Sequence, residues 1–273
     1  EVTVLEYCKD ILPRFDTDLA KRLKQALGKR GINIETSAQV TGIESDGNLL
    51  RVRYLTKDME HVAEAGKVLM AVGRRPNVES LNLAGAGVDF SPKGVVTDVN
   101  MRTNVPSVFA IGDVRGGMML AHVAVAEGRR ALNTILAEAE GRNVEGQMDD
   151  GIDLGIVPAA VFTDPEAATV GMTEDECKAS GIPVKALKSM FRANGKALAM
   201  GEPDGYCKLL VAGEGGVYEP GRILGCHIFG AHSSDIIHEV AALMNCGATV
   251  ETLRNAIHAH PTLSEVLYAA AWQ

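Results

Sequence analysis

The stretch SVFAIGDVRGGMMLAHVAVAEG, Ser107 to Gly128, decides how the chain is read. A β-branched and aromatic run ends at Gly112-Asp113, a loop with Gly116 and Gly117 follows, and an apolar helix-forming stretch opens at Met119. This order predicts strand, tight turn, helix. Glycine lets a backbone approach a ligand closely. The N–H groups at a helix start favour negative charge, and an acid at the strand end can bind a hydroxylated or phosphate-linked chain. On pattern alone, a plain strand–turn–helix with Asp113 as a cap explains the residues equally well.

Working outward, EVTVLE at the chain start is a short β-branched strand. DTDLAKRLKQALGKRG is a helix with Asp16 or Thr17 as N-cap, Leu19, Leu23, Ala26 and Leu27 on one face, and Gly31 as stop. INIE, QVTGIE, NLLRVRYL and KVLMAVG all read as strands, giving one β-α-β unit plus a meander that ends near Gly73. RRPNVESLNLAGAGVDFSPKG is a turn-rich linker. Within it GAGVDF lacks the third glycine of a dinucleotide loop, and no strand leads into it. EGRNVEGQMDDGIDLG, rich in glycine and charge, marks a boundary. Beyond it IVPAAVFT, AATVGM, VKALKSMF, YCKLLVA and RILGCHIFG read as strands, and TEDECKASG, SDIIHEVAALMNCG and VETLRNAIHA as helices. That part is expected to be an antiparallel sheet with helices on one face, an α+β domain.

Composition bounds the function. The 273 residues are 46% apolar, ample for packed cores, and the 29 glycines suit an α/β protein with many tight turns. A net charge of −8 argues against a nucleic-acid or anionic-membrane partner, and no apolar run is long enough to span a membrane. No signal peptide is visible, and the chain enters a strand at once from Glu1, which suggests a piece of something longer. Cys8, Cys177, Cys207, Cys226 and Cys246 are scattered and form no CxxC or CxxxxC pair. They read as small buried hydrophobes in a reducing, cytoplasmic compartment. His61, His227, His232 and His238 are lone residues with structural readings.

HAHPTLSE, His258 to Glu265, is richer. Thr262 to Glu265 fits a capping box with Thr262 as N-cap of the last helix. His258 and His260 fit polar residues at a helix-to-loop turn, or an acid–base group beside its glutamate. A zinc site is disfavoured, because no third ligand has suitable spacing, and no metal is expected. Local pattern favours capping over catalysis.

TNVPSVFAIGDV, MLAH followed by EG, AVGRRPN, FTDPEAATVGMTEDE, ANGKALAM and HAHPTLSE occur in this order. Together they resemble the C-terminal part of the pyridine nucleotide-disulfide oxidoreductases, flavoprotein disulfide reductases, and within them the dihydrolipoamide dehydrogenase group. The resemblance covers essentially all 273 residues. It implies partial Rossmann-like nucleotide-binding domains followed by an α+β dimerisation domain. The expected divisions are 1–75 for part of the NAD-binding domain, 76–152 for the closing segment of the FAD-binding domain and 153–273 for the dimerisation domain. YAAAWQ at the chain end lacks the vicinal cysteines of mercuric reductases, and EYCKDIL lacks the arginines expected of an NADP-linked glutathione reductase type.

The resemblance also assigns roles. Glu6 matches the acid that binds the NAD ribose, and Val40 and Gly73 match positions lining the NAD site. Asp113 matches the acid that binds the ribityl and pyrophosphate part of FAD. Met119, Leu120, Ala121 and His122 match the helix start facing the flavin pyrimidine edge, where the helix dipole stabilises reduced flavin. His260 matches the general acid–base histidine, and Glu265 the glutamate that holds its other ring nitrogen. His258 reads as a supporting neighbour. The implied activity is oxidation of protein-bound dihydrolipoamide with NAD through FAD, in a homodimer serving the lipoyl domain of a 2-oxoacid dehydrogenase or glycine cleavage complex. The family's two GxGxxG loops and its CxxxxC pair belong upstream of Glu1 and are not in this chain. FAD and NAD are therefore expected to bind it weakly or not at all, and the chain alone is expected to be inactive. A non-catalytic dimerisation or interaction module stays open as the alternative.

Overall fold

A computed structural model describes residues 1–144 and 146–273; Glu145, in the expected boundary stretch, lies outside the described residues. The chain divides into two compact units, one of residues 1–69 with 158–273 and the other of residues 70–157.

In the first unit β1 (Val2–Glu6), α1 (Thr17–Lys29) and β2 (Ile32–Thr36) form a β-α-β unit, with β1 and β2 parallel and Val2 opposite Ile32. Asp16 caps α1, its carboxylate accepting from the N–H groups of Asp18 and Leu19 at 3.1 and 3.4 Å. The strands β3 (Gln39–Asp46), β4 (Leu49–Thr56) and β5 (Met59–Ala65) make the antiparallel meander.

In the second unit β6 (Phe90–Ser91) and β7 (Gly94–Val95) form a minimal hairpin, and α2 (Ala121–Ala139) is its long helix. Val78, Val88, Val95 and Ala110 form its core, with Leu83, Val105, Val108 and Val114 packed around them. The stretch expected to be a linker therefore contributes Val78 and Val88 to a packed core.

The remainder of the first unit adds β8 (Ala159–Val161), β9 (Ala167–Gly171), α3 (Glu174–Ala179), β10 (Val184–Met190) and α4 (Gly195–Met200). It continues with β11 (Tyr206–Ala212), β12 (Ile223–Phe229), α5 (Ser233–Asn245), α6 (Val250–Asn255) and α7 (Glu265–Ala271). The sheet is antiparallel throughout, in the order β10-β11-β12-β9-β8. Helix α5 packs on β12 and β9, and α7 on β10 and β11. Leu19, Leu23, Ala26 and Leu27 of α1 pack with Tyr206, Phe229 and Ala167. Every residue of β11 and β12 is buried, so both faces of these strands are covered. That is why they read as continuous apolar runs rather than alternating ones.

Four local expectations fail. KVLMAVG is not a strand: its backbone finds no partner strand among the described residues, and Leu69 and Val72 are 88% and 86% exposed. SVFAIGD makes one bridge, Arg102 to Phe109, and then a 3₁₀ turn over Gly112–Arg115. In both, the side-chain pattern suits a strand, but a strand needs a neighbour to bond with. The helix expected over VETLRNAIHA stops at Asn255, because Ala256 turns to an extended backbone. Cys246 is exposed at the end of α5 and Cys8 is half-buried; Cys177, Cys207 and Cys226 are buried.

Candidate active site

His260 and Glu265 meet. They sit on the segment between α6 and α7, with the His260–Pro261 peptide cis. Glu265 Oε1 stands 2.9 Å from His260 Nδ1, and Glu265 Oε2 accepts the Thr262 N–H at 2.8 Å. The Thr262 N–H and then the His260 ring hold the Glu265 carboxyl below its usual range. An ionised carboxylate only accepts hydrogen bonds, so Nδ1 is the donor, and in the neutral ring Nε2 is the nitrogen left to accept a proton. The His260 side chain is 76% exposed. The pair therefore presents a proton-accepting nitrogen outward on a ring fixed from behind.

The expected capping box forms only in half. The Thr262 hydroxyl donates to Ala259 O at 2.7 Å instead of receiving a helix N–H. Helix α7 starts at Glu265 itself, with Ser264 at the cap position, so the glutamate lies in the first turn rather than at its third residue. What remains of the motif is the grip of Glu265 on its own loop.

Three supporting residues escaped the sequence reading. Glu239 of α5 stands 2.9 Å from His258 Nε2 through Oε1. Asn194 donates through Nδ2 to Thr262 O at 3.0 Å, tying the loop to the start of α4. Glu127 accepts the Gly112 N–H at 2.5 Å and pairs with Arg115, which also donates through Nε to Thr97 Oγ1 at 2.8 Å. The EG that closes the quoted MLAH stretch was the available signal for Glu127, and ANGKALAM for Asn194; Glu239 had none.

The positions matched to nucleotide binding divide between the units. Glu6 ends β1, its Oε1 accepting the Cys8 N–H at 2.6 Å, and its carbonyl accepts the Ala38 N–H at 2.9 Å. Val40 follows on β3 with its side chain exposed. Gly73 belongs to the other unit, at φ +101 in a segment without regular structure. Asp113 is exposed on the 3₁₀ turn. That turn lies against α2: Gly112 has φ +70, and a Cβ there would stand 2.9 Å from Ala124 Cβ. Met119 and Leu120 lead into α2, and Ala121 and His122 open it. No side chain among the described residues caps α2. An uncapped helix start beside an exposed acid fits a group that is anionic at one end and hydroxylated along its length. His227 is buried, with Nδ1 2.6 Å from Thr169 Oγ1 and Nε2 3.0 Å from Met172 O, and its burial lowers its pKa. Among the described residues no helix is long and apolar enough to cross a membrane.

Residues 1–128 match the family described as pyridine nucleotide-disulphide oxidoreductase, and residues 157–271 match the dimerisation domain of the same family. The chain belongs to the pyridine nucleotide-disulphide oxidoreductases. Among its relatives, the dihydrolipoyl dehydrogenase of Bacillus subtilis is 38% identical over 273 residues, covering 99% of this chain and 55% of that protein. The dihydrolipoyl dehydrogenase of Chlamydia muridarum is 39% identical over 268 residues, covering 97% of this chain and 53% of that protein. This chain thus spans about half the length of the relatives it matches. Its fold is similar to the HOCl-induced flavoprotein disulfide reductase RclA of Escherichia coli, with a TM-score of 0.82 at 28% identity, covering all of this chain and 59% of that one. It is also similar to LpdA of Mycobacterium tuberculosis, with a TM-score of 0.83 at 26% identity over 99% of this chain and 56% of that one.

Proposed function

We propose that this chain is the C-terminal portion of an FAD- and NAD-dependent oxidoreductase that oxidises protein-bound dihydrolipoamide with NAD. The observation that carries this reading is the His260–Glu265 pair, with its 2.9 Å contact on Nδ1 and a His260 side chain that is 76% exposed. In that role Nε2 takes the proton of a dihydrolipoyl thiol, and the thiolate attacks a disulfide. Glu265 holds the imidazole and balances its charge while it carries that proton. The dithiol partner lies outside this chain. Asp113 and the α2 start at Met119, Leu120, Ala121 and His122 would hold the ribityl-pyrophosphate and pyrimidine edge of FAD; Glu6 and Val40 would hold NAD. When bound, FAD accepts the electrons and NAD takes them on as hydride.

In this reading residues 1–75 are part of an NAD-binding domain, 76–152 the closing segment of an FAD-binding domain and 153–273 the dimerisation domain. The protein works in the cytoplasm as a homodimer on the lipoyl domain of a 2-oxoacid dehydrogenase or glycine cleavage complex. The isolated chain is expected to be colourless and to bind FAD or NAD weakly or not at all, since neither pyrophosphate-cradling loop is in it. Calorimetry tests this, and sub-micromolar affinity for either would overturn it. The activity is tested on the product of the reading frame extended upstream of Glu1. Preferential NAD-linked oxidation of dihydrolipoamide supports the proposal; an NADPH-linked reduction of glutathione disulfide would replace it, and a flavin-free, inactive product would leave an interaction module.

A further inference from the structure

We propose that His258 and Glu239 form a positioning pair for His260, an inference that rests on the reading of His260 as the acid–base group. The two histidines are two residues apart; each meets a glutamate at 2.9 Å, but through a different ring nitrogen and at a different depth. The His258 side chain is 9% exposed, against 76% for His260. His258 Nε2 meets Glu239 Oε1 of α5 at 2.9 Å, and its Nδ1 lies 3.3 Å from Ala256 O. Its ring sits 5.5 Å from that of Tyr268 on α7, whose ring is 6.1 Å from Trp272. Arg254 of α6 lies over the Trp272 ring at 5.5 Å and donates through Nε to Ala271 O at 2.7 Å. His258 is therefore the point where α5, the end of α6 and α7 are tied together.

The exposed His260 ring has little packing of its own to fix it, so its direction depends on the backbone that carries it. That backbone is held on one side by His258 on Glu239. On the other it is held by Thr262, through Asn194 at 3.0 Å and Glu265 at 2.8 Å. Only three residues, 259–261, lie between the anchors. Releasing the first anchor frees the segment to rotate, and the His260–Glu265 contact is lost with it. Hydrogen bonds with one ionised partner are the strong kind, which suits an anchor. A displacement of about 1 Å at a reacting group can cost on the order of 10²-fold in rate.

The test reads the tautomer of His260 in this chain by ¹⁵N–¹H correlation of its ring, in alkaline buffer where imidazoles are neutral. In the unaltered chain the Nδ1–H form should dominate, because Glu265 accepts from that nitrogen. His258→Phe keeps a ring against Tyr268 but removes the donor to Glu239, and should shift His260 toward the Nε2–H form that free imidazoles favour. Glu239→Leu should do the same, and the double variant should be no worse than either single one. His258→Gln keeps a donor within reach of Glu239 and should restore most of the Nδ1–H form. An unchanged His260 spectrum in Glu239→Leu, or equal loss in His258→Gln and His258→Phe with α5 and β12 amide signals intact, would overturn the positioning role. If the unaltered chain already lacked the Nδ1–H form, the acid–base reading of the pair would fail first. If His258→Phe does not fold, the Glu239→Leu and His258→Gln comparison decides.

Discussion

Glu265 accepts from two donors that lie on either side of Pro261, the Thr262 N–H at 2.8 Å and His260 Nδ1 at 2.9 Å. Removing it should free both the ring and the turn that carries it. Glu265→Ala should therefore reduce dihydrolipoamide turnover in the full-length protein, by less than loss of His260 itself, because the glutamate orients the base and does not take the proton. A reduction equal to or larger than that of His260→Gln would mean that Glu265 itself handles a proton. HAHPTLSE was legible as a unit because both partners lie within one short motif. Glu239 was not, because it lies 19 residues from His258 and meets it only when α5 and the loop pack together. Thr262 misled for a related reason: capping depends on where the helix starts, and α7 starts two residues later than the motif suggests.

At the scale of elements, the N-terminus of α1 is bolted to the sheet by a buried lysine. Lys208 of β11 is 2% exposed; its Nζ lies 3.0 Å from both Asp16 oxygens, 2.5 Å from Glu174 and 3.4 Å from Asp18. Burial works against the charge, but Glu174 and Asp16 outweigh it and raise the Lys208 pKa. Lys208→Met would leave buried Asp16 and its neighbour Glu174 without their cation. We expect a loss of about 3–5 kcal/mol, the usual cost of breaking a buried pair, in urea unfolding. Lys178 and Lys208 hold the Glu174 carboxyl at about 2, against an ordinary value of 4.5. Its folded pKa is thus depressed, so its contribution is fully present above about pH 4.5 and disappears as pH falls toward 2. Glu174→Gln should flatten the acid side of the stability–pH profile over that window; an unchanged profile would mean that the cluster does not couple to folding. The β-α-β unit, the meander and the antiparallel sheet were legible from their runs of β-branched residues and from the capped, one-sided face of α1. The strands expected at KVLMAVG and SVFAIGD were not, since pairing is a property of two segments and a sequence pattern describes one.

For the whole molecule, the first unit exposes Phe162 at 81% and Ile257 at 100%, together with Trp272 beyond α7. Phe162 and Ile257 lie within residues 157–271, the part that matches the family's dimerisation domain, and Trp272 directly follows it. The chain should form a two-fold dimer at micromolar concentration; a monomer in light scattering would contradict this. In the proposed enzyme His260 of one subunit would serve the redox disulfide of its partner, so that each active site would draw on both subunits. Heterodimers of one His260→Gln subunit with one subunit lacking the upstream redox cysteines should then keep one working site of two. The most direct measurement is steady-state oxidation of dihydrolipoamide with NAD by the full-length protein, unaltered against His260→Gln. The account predicts a fall in turnover of about 10²–10⁴-fold, the range for a lost general base, with flavin content unchanged. Turnover equal to that of the unaltered protein would contradict it and reduce HAHPTLSE to a helix entry.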